Sequence, residues 1–328
     1  MKGKVVCFGE ALIRYQPVEN SFFNESNTVT AYPGGSEANV AVKLGQLSIP
    51  VSYISAAPDN EITREYLEIL NHHHVDTSGF IYSGSRIGSY ILLSANGLSK
   101  GEVIYDRNHS SFSQLKKGEL DWEHIFKDCT WFHWTALTPA LNSELTEVIH
   151  EALEIASAKG ITISVDLNYR NRLWQYGKKP LEVMPGLIKY CHIIMGNIWA
   201  SHTMLGTSID ENLNRETSPE EYLEYAVKNS QEIFIQYPNA QIVANTFRFM
   251  DAAQHNLLYG TLHTREDNAI SKIYETHHLT DRIGSGDAFM AGAISSLYNG
   301  RNIQESIENA ALEGFNKLFV KGDFSKNI

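Results

Sequence analysis

Two glycine-rich stations in this chain have residue types suited to chemistry, and they lie far apart in the sequence. One is Gly284-Ser285-Gly286-Asp287, which leads into the apolar run Ala288-Phe-Met-Ala-Gly292. Amides at a helix N-terminus point outward and unpaired, and the macrodipole adds partial positive charge, so such a turn suits an anion. Glycines on either side of Ser285 let those amides curl around it. The same helix field predicts a lowered pKa for Asp287, leaving it ionised and able to receive a proton. A carboxylate base beside an anion-binding turn suits phosphoryl transfer, where positioning and charge stabilisation dominate. The plain alternative is an Asp near a helix start after a flexible turn, which is common. The spacing is not that of the dinucleotide fingerprint, and the chain has no Walker A lysine.

The other station, Pro33-Gly-Gly-Ser-Glu-Ala-Asn39, runs directly into a helical pattern. Gly34 and Gly35 allow close backbone approach to a ligand, and Asn39 offers a hydroxyl both a donor and an acceptor. A strand-to-helix turn that merely needs small residues would read the same way.

The elements that must position these stations follow from periodicity. Lys4–Phe8, Val51–Ser55, Trp131–Trp134, Ile161–Val165, Ile193–Met195 and Gln241–Ala244 read as strands. Ser36–Leu47, Glu61–His73, Leu141–Lys159, Pro219–Gln236, Asp287–Tyr298 and Ile303–Leu318 read as helices with apolar residues at i, i+3 and i+4. Their alternation predicts an α/β fold, a mostly parallel sheet covered by helices on both faces. Two segments break the rhythm: Ile13–Pro33, without a helical period, and Phe80–Asp106, a hairpin with a turn signal at Ala95-Asn-Gly97. Together they predict a small β lid (13–33 and 80–107) inserted in a core formed by 1–12, 34–79 and 108–328.

Composition narrows the classes. A formal charge of −11 argues against a nucleic-acid partner, which usually needs a basic stripe. No apolar run is long enough for a membrane span or a leader's hydrophobic region, so a cytoplasmic location is expected. Cys7, Cys129 and Cys191 are far apart among apolar neighbours and read as buried free thiols. His72-His-His74 reads as a solvated helix end rather than a chelate, and His133 as a core or cleft histidine.

Taken together, Gly34-Gly-x-x-x-Asn39 and Asp281-x-x-Gly-x-Gly-Asp287 resemble the paired signatures of the ribokinase-like (PfkB) carbohydrate kinases, over residues 4 to 325. The resemblance implies a three-layer α/β/α core with a β lid, ATP with Mg²⁺, and a sugar hydroxyl as acceptor. It assigns Asp287 as the base and the amides of Gly284, Ser285 and Gly286 as the anion hole. The stretch Asp281-Arg-Ile is similar to one that helps bind a monovalent cation in some relatives.

Arg86-Ile-Gly-Ser-Tyr90, Tyr105-Asp-Arg107 and Asp166-Leu-Asn-Tyr-Arg170-Asn-Arg-Leu-Trp174 resemble the 2-keto-3-deoxygluconate kinase branch. The resemblance implies that Gly34, Gly35, Asn39, Tyr90, Tyr105, Arg107, Arg170 and Asp323 hold a sugar acid. It implies nucleotide contacts from Asn168, Asn197, Thr246, Arg248 and Asn309 in addition to Gly284 and Gly286. Guanidinium groups suit a carboxylate because they bind it through two parallel hydrogen bonds. Tyr90 and Tyr105 would equally serve a homodimer formed through the lids.

Three departures stand out. The family's Asn-x-x-Glu, which acts on Mg²⁺, reads Asn197-Ile-Trp-Ala200, leaving the metal ligands unknown. Its glycine-containing nucleotide loop reads Asn245-Thr-Phe-Arg-Phe-Met250, where Arg248 is expected to replace loop amides. Its Gly-Asp-Asp turn reads Pro58-Asp-Asn60. The alternatives are a kinase of a neutral sugar of the fructose or ribose type and a catalytically silent sugar-acid-binding protein.

Overall fold

A computed structural model describes residues 3–18, 22–23, 28–93, 102–214, 216–250 and 255–326. The expected turn at Ala95-Asn-Gly97 lies outside the described residues, as do parts of both lid excursions.

A ten-stranded sheet forms the centre. Its path runs β15 (Asn268–Ile270), β14 (Asn256–His263), β13 (Ile242–Phe249), β12 (Ile193–Met195), β11 (Thr162–Asp166), β10 (Cys129–Thr135), β1 (Lys4–Phe8), β4 (Val51–Ile54) and β6 (Val75–Asp76). From β13 to β6 all pairings are parallel, while β14 joins β13, β15 and β16 (Tyr274–Thr276) antiparallel. The period of two along each strand sorts side chains between two cores. Val6, Phe8, Phe132, Trp134, Ile163 and Val165 pack on one face against α3 (Trp122–Ile125), α4 (Ser143–Ala158) and α5 (Pro180–Ile188). Val5, Cys7, Trp131, Ile193 and Met195 pack on the other against α1 (Ser36–Gln46), α2 (Glu61–His72), α8 (Ser285–Tyr298) and α9 (Ile303–Asn316). The result is the three-layer arrangement expected. The helices α6 (Ile198–Leu205) and α7 (Pro219–Gln236) follow β12.

A second sheet of four strands has the order β3 (Val29–Gly34), β2 (Leu12–Pro17), β8 (Gly88–Leu93), β9 (Glu102–Asp106). It is assembled from both excursions that break the helical rhythm. Ala56–Ala57 (β5) and Ile81–Tyr82 (β7) make a separate short parallel pair.

Two expectations need correction. Residues 245–249 are not a loop: β13 continues to Phe249 because Asn245 to Phe249 find antiparallel partners in β14, from Thr261 to Leu257. The helix expected to begin at Asp287 begins at Ser285, which places Asp287 inside its first turn. Asn60, in the altered turn, caps α2 by accepting from the Thr63 amide at 3.0 Å. The three cysteines are free and buried. His133 is fully buried against Ser164, and burial lowers its pKa to about 3, which keeps it neutral.

Candidate active site

Sheet order reverses between β1 and β10, where successive strands are added on opposite sides, and a crevice opens past the strand ends at such a point. Lining it are Asp166 from the end of β11, Gly196 and Asn197 after β12, and the starts of α1 and α8. These two helix starts differ from others in the chain. Helices α2, α4, α6, α7 and α9 are capped by side chains of Asn60, Asn142, Asn197, Ser218 and Asn302. Helices α1 and α8 begin instead at Gly35 (φ 129°) and Gly284 (φ 80°), with no side-chain cap. Only glycine reaches those φ values without strain. No side chain caps the first amides of either helix, and Gly35, Ser36, Gly284, Ser285 and Gly286 line the cleft.

Asp287 ties the two stations together. Its Oδ1 accepts from Ser36 Oγ and its Oδ2 from Asn39 Nδ2, both at 2.6 Å. Asn168 Nδ2 donates in turn to Ser36 Oγ at 3.0 Å, from a residue held at φ 32°. Asn39 thus commits one of its two amide N–H groups to Asp287. Its buried Oδ1 has no hydrogen-bond partner among the described residues. A buried acceptor left so is costly, and a ligand hydroxyl would satisfy it.

The expected lowering of the Asp287 pKa is overturned. Desolvation in the cleft dominates and pushes it up; the bonds from Asn39 and Ser36 and the charges of Arg170 and Lys317 oppose that without cancelling it. Asp166 is raised to about 7, first by burial and then by the charge of Asp287. Two carboxylates that disfavour each other's ionisation make the cleft floor receptive to a cation.

Predicted substrate residues gather on the lid side. Tyr90 and Tyr105 face each other across β8 and β9 with ring centroids 6.4 Å apart. Tyr90 donates to Asp323 Oδ2 at 2.5 Å, and Asp323 Oδ1 lies 2.9 Å from Arg14 Nε. Arg14, fully buried on β2, also reaches Asp281 through Nη2 at 2.6 Å. Gly34 does not line the cleft itself, but a Cβ there would strike the Asp323 carboxylate at 2.3 Å. Arg107 lines the cleft while its Nε donates to buried Glu10 at 2.5 Å. Arg170 is exposed and also lines the cleft, its Nη1 donating to the Tyr169 carbonyl at 2.9 Å.

On the remaining wall stand Asn168, Asn197, Thr246 and Arg248. Asn197 accepts from the Ala200 amide at 2.8 Å, so its side chain serves chiefly as a helix cap. Arg248 is exposed, and its Nη1 donates to the Arg282 carbonyl at 3.4 Å. Asn309 does not line the cleft: it joins α9 to α8 by donating to the Gly292 carbonyl at 3.0 Å. Ala200 forms cleft wall with no carboxylate to offer. Among the described residues the one group of three metal-ligating side chains is His255, Glu275 and His277, and none of them lines the cleft.

Sequence reasoning did not single out Ser36, Arg14, Glu10 or Lys317. Ser36 sat in plain view between the glycines and Asn39. The other three are buried charges whose partners lie far along the chain, which no local pattern announces.

The cleft joins an uncapped helix start, a carboxylate held by two donors and two arginines. The chain as a whole is also similar to known proteins. The solved structure of 2-dehydro-3-deoxygluconokinase from Thermotoga maritima is similar at a TM-score of 0.87 and 33% identity, covering 98% of this chain and 96% of that one. The 2-dehydro-3-deoxygalactonokinase of Haloferax volcanii is 26% identical over 99% of this chain and 94% of its own. Probable fructokinase-2 of Arabidopsis thaliana is 24% identical over 94% of this chain and 85% of its own. The model of the pfkB family carbohydrate kinases matches residues 2–312. With both stations, the three-layer core and nearly the whole chain accounted for, this protein belongs to the pfkB family of carbohydrate kinases.

Proposed function

We propose that this kinase transfers the terminal phosphoryl group of ATP to a hydroxyl of a sugar acid, with 2-keto-3-deoxygluconate as the foremost acceptor. One observation carries the reading: Asp287, held by Ser36 and Asn39, shares a cleft of about 560 Å³ with Arg107 and Arg170. The acceptor oxygen attacks the γ-phosphorus, its proton passes to Asp287, and the bond to the bridging β–γ oxygen breaks to release ADP. The Gly284, Ser285 and Gly286 amides face the charge on the transferring group. Arg107 and Arg170 bind the carboxylate, Tyr90 and Tyr105 close over the apolar side of the sugar, and the unsatisfied Asn39 Oδ1 accepts from one of its hydroxyls. Arg248 and Thr246 serve the nucleotide.

When bound with the nucleotide, Mg²⁺ would supply charge neutralisation at the phosphates, a role that needs few protein ligands. Asp166 is the cleft carboxylate that would hold it, since burial and the neighbouring Asp287 both make an uncompensated charge there unfavourable.

A neutral-sugar kinase is the second reading, favoured by the similarity to a probable fructokinase. A coupled ADP-release panel with 2-keto-3-deoxygluconate, its galactonate epimer, fructose, ribose and a no-sugar control separates the readings. Turnover on a sugar acid is expected; turnover on neutral sugars alone overturns the assignment. No described helix is long and apolar enough to cross a membrane.

A further inference from the structure

Beneath the α8 turn lies a cation that the reaction as described does not use. Lys317 follows α9 and is 2% exposed. Its Nζ donates to the carbonyls of Val320 at 3.1 Å and Gly322 at 2.8 Å. A Cβ placed on Gly284 would sit 3.2 Å from Lys317 Cε, so the end of this side chain packs directly under the first residue of the uncapped helix start. Around the ammonium stand two buried carboxylates, Asp281 and Asp323, with Asp287 also within electrostatic reach; the opposing charge is Arg14.

The same segments fasten the turn from several sides. The amides of Thr280 and Asp281 donate to the Leu318 carbonyl at 2.8 and 3.1 Å. The amides of Ile283 and Gly322 both donate to the Asp281 carboxylate, at 3.0 and 3.1 Å. Ser285 Oγ donates to the Gly314 carbonyl at 2.8 Å. Backbone carbonyls and carboxylates converging on a buried positive charge are the surroundings a bound monovalent ion would require. Here a covalently attached ammonium fills them.

We propose that Lys317 is a built-in cation that shapes and polarises the Gly284–Gly286 turn, so that this kinase works without a bound monovalent ion. It acts through the turn and through Asp287 and does not touch the reacting atoms, which makes it a positioning residue. The inference rests on the phosphoryl-transfer reading of the cleft but not on which acceptor is used. It replaces the monovalent-cation site expected near Asp281-Arg-Ile.

The experiment takes whichever panel acceptor the wild-type chain phosphorylates, so a mistaken acceptor appears as wild-type silence on the sugar acid and leaves this test standing. Wild-type kcat in tetramethylammonium buffer should match that in potassium buffer within about twofold, whereas a tenfold rise with potassium overturns the proposal. Lys317→Met keeps the stem and packing; its kcat should fall by about tenfold or more with nucleotide KM nearly unchanged. The acid limb of its kcat/KM profile should move up by about half a pH unit, because a positive charge near Asp287 is gone. In Lys317→Ala the vacated space should restore a response to ammonium, potassium or ethylammonium that Lys317→Met lacks. Wild-type kcat and an unmoved acid limb in Lys317→Met overturn the proposal, even if Lys317→Ala fails to fold.

Discussion

The side-chain amide of Asn39 donates to the carboxylate of Asp287 at 2.6 Å across 248 positions of chain. That bond fastens the start of α1 to the first turn of α8, and Ser36 repeats it one helical turn earlier on α1. Asp287 is thereby aimed by two donors while its environment raises its basicity.

Asp287→Asn is expected to reduce kcat by about a hundredfold to ten-thousandfold, the usual range for a lost general base. Acceptor affinity, measured by calorimetry, should stay within about threefold, since Asn preserves shape and one acceptor oxygen. Retention of near-normal turnover would remove Asp287 from the role.

The acid limb of kcat/KM should lie above the ordinary aspartate value of 3.8, because burial raises the pKa of Asp287. The active form is the carboxylate, so activity falls as pH drops through that raised value. Asn39→Ala removes a donor that favours ionisation, and its limb should move further up, by about one unit or less. A limb that stays put in a pH-rate series on this variant contradicts the coupling.

Arg170→Lys should weaken sugar-acid turnover by about tenfold relative to any neutral sugar that the enzyme accepts, because lysine cannot form the paired hydrogen bonds. Equal losses on both acceptor classes, in parallel kcat/KM measurements, speak against a carboxylate contact.

Glu10 and Arg107 form a buried ion pair, 2% and 5% exposed. Removing the carboxylate in Glu10→Ala should cost about 3–5 kcal/mol in urea unfolding, since it strands the guanidinium. A Glu10→Met, Arg107→Met double variant should recover most of that loss while turnover on the sugar acid remains low. Recovery of both would make Arg107 purely structural.

Much of this architecture was legible from periodicity, because burial on two faces imposes long apolar strands and a helical repeat between them. The stations were legible for a similar reason: Gly35 and Gly284 occupy backbone conformations that other residues reach with strain. The helix α5 was missed because Pro180, Pro185 and Gly186 disguise it, although Pro180 stands at its first turn, where proline is tolerated. The 245–249 stretch resembles a family loop in sequence, yet Val243, Asn245 and Phe247 alternate along a strand that pairs with β14. The helix field at Asp287 is visible in sequence, whereas the desolvation by the cleft that raises its pKa is not. Arg14, Asp281, Lys317 and Asp323 are long-range partners, and single residues do not announce partners hundreds of positions away.

The ion cluster that joins Arg14 to Asp281 and Asp323 bears on how the protein is made. During synthesis Arg14 leaves the ribosome long before either carboxylate, so β2 cannot bury it in the native position until the last part of the core has emerged. The four-stranded sheet that lines the cleft is therefore completed late, together with Asp287 and the turn before it. A chain ending between residues 287 and 323 would keep the Asp281 partner of Arg14 and lose Asp323, leaving the guanidinium of its second strand only half matched.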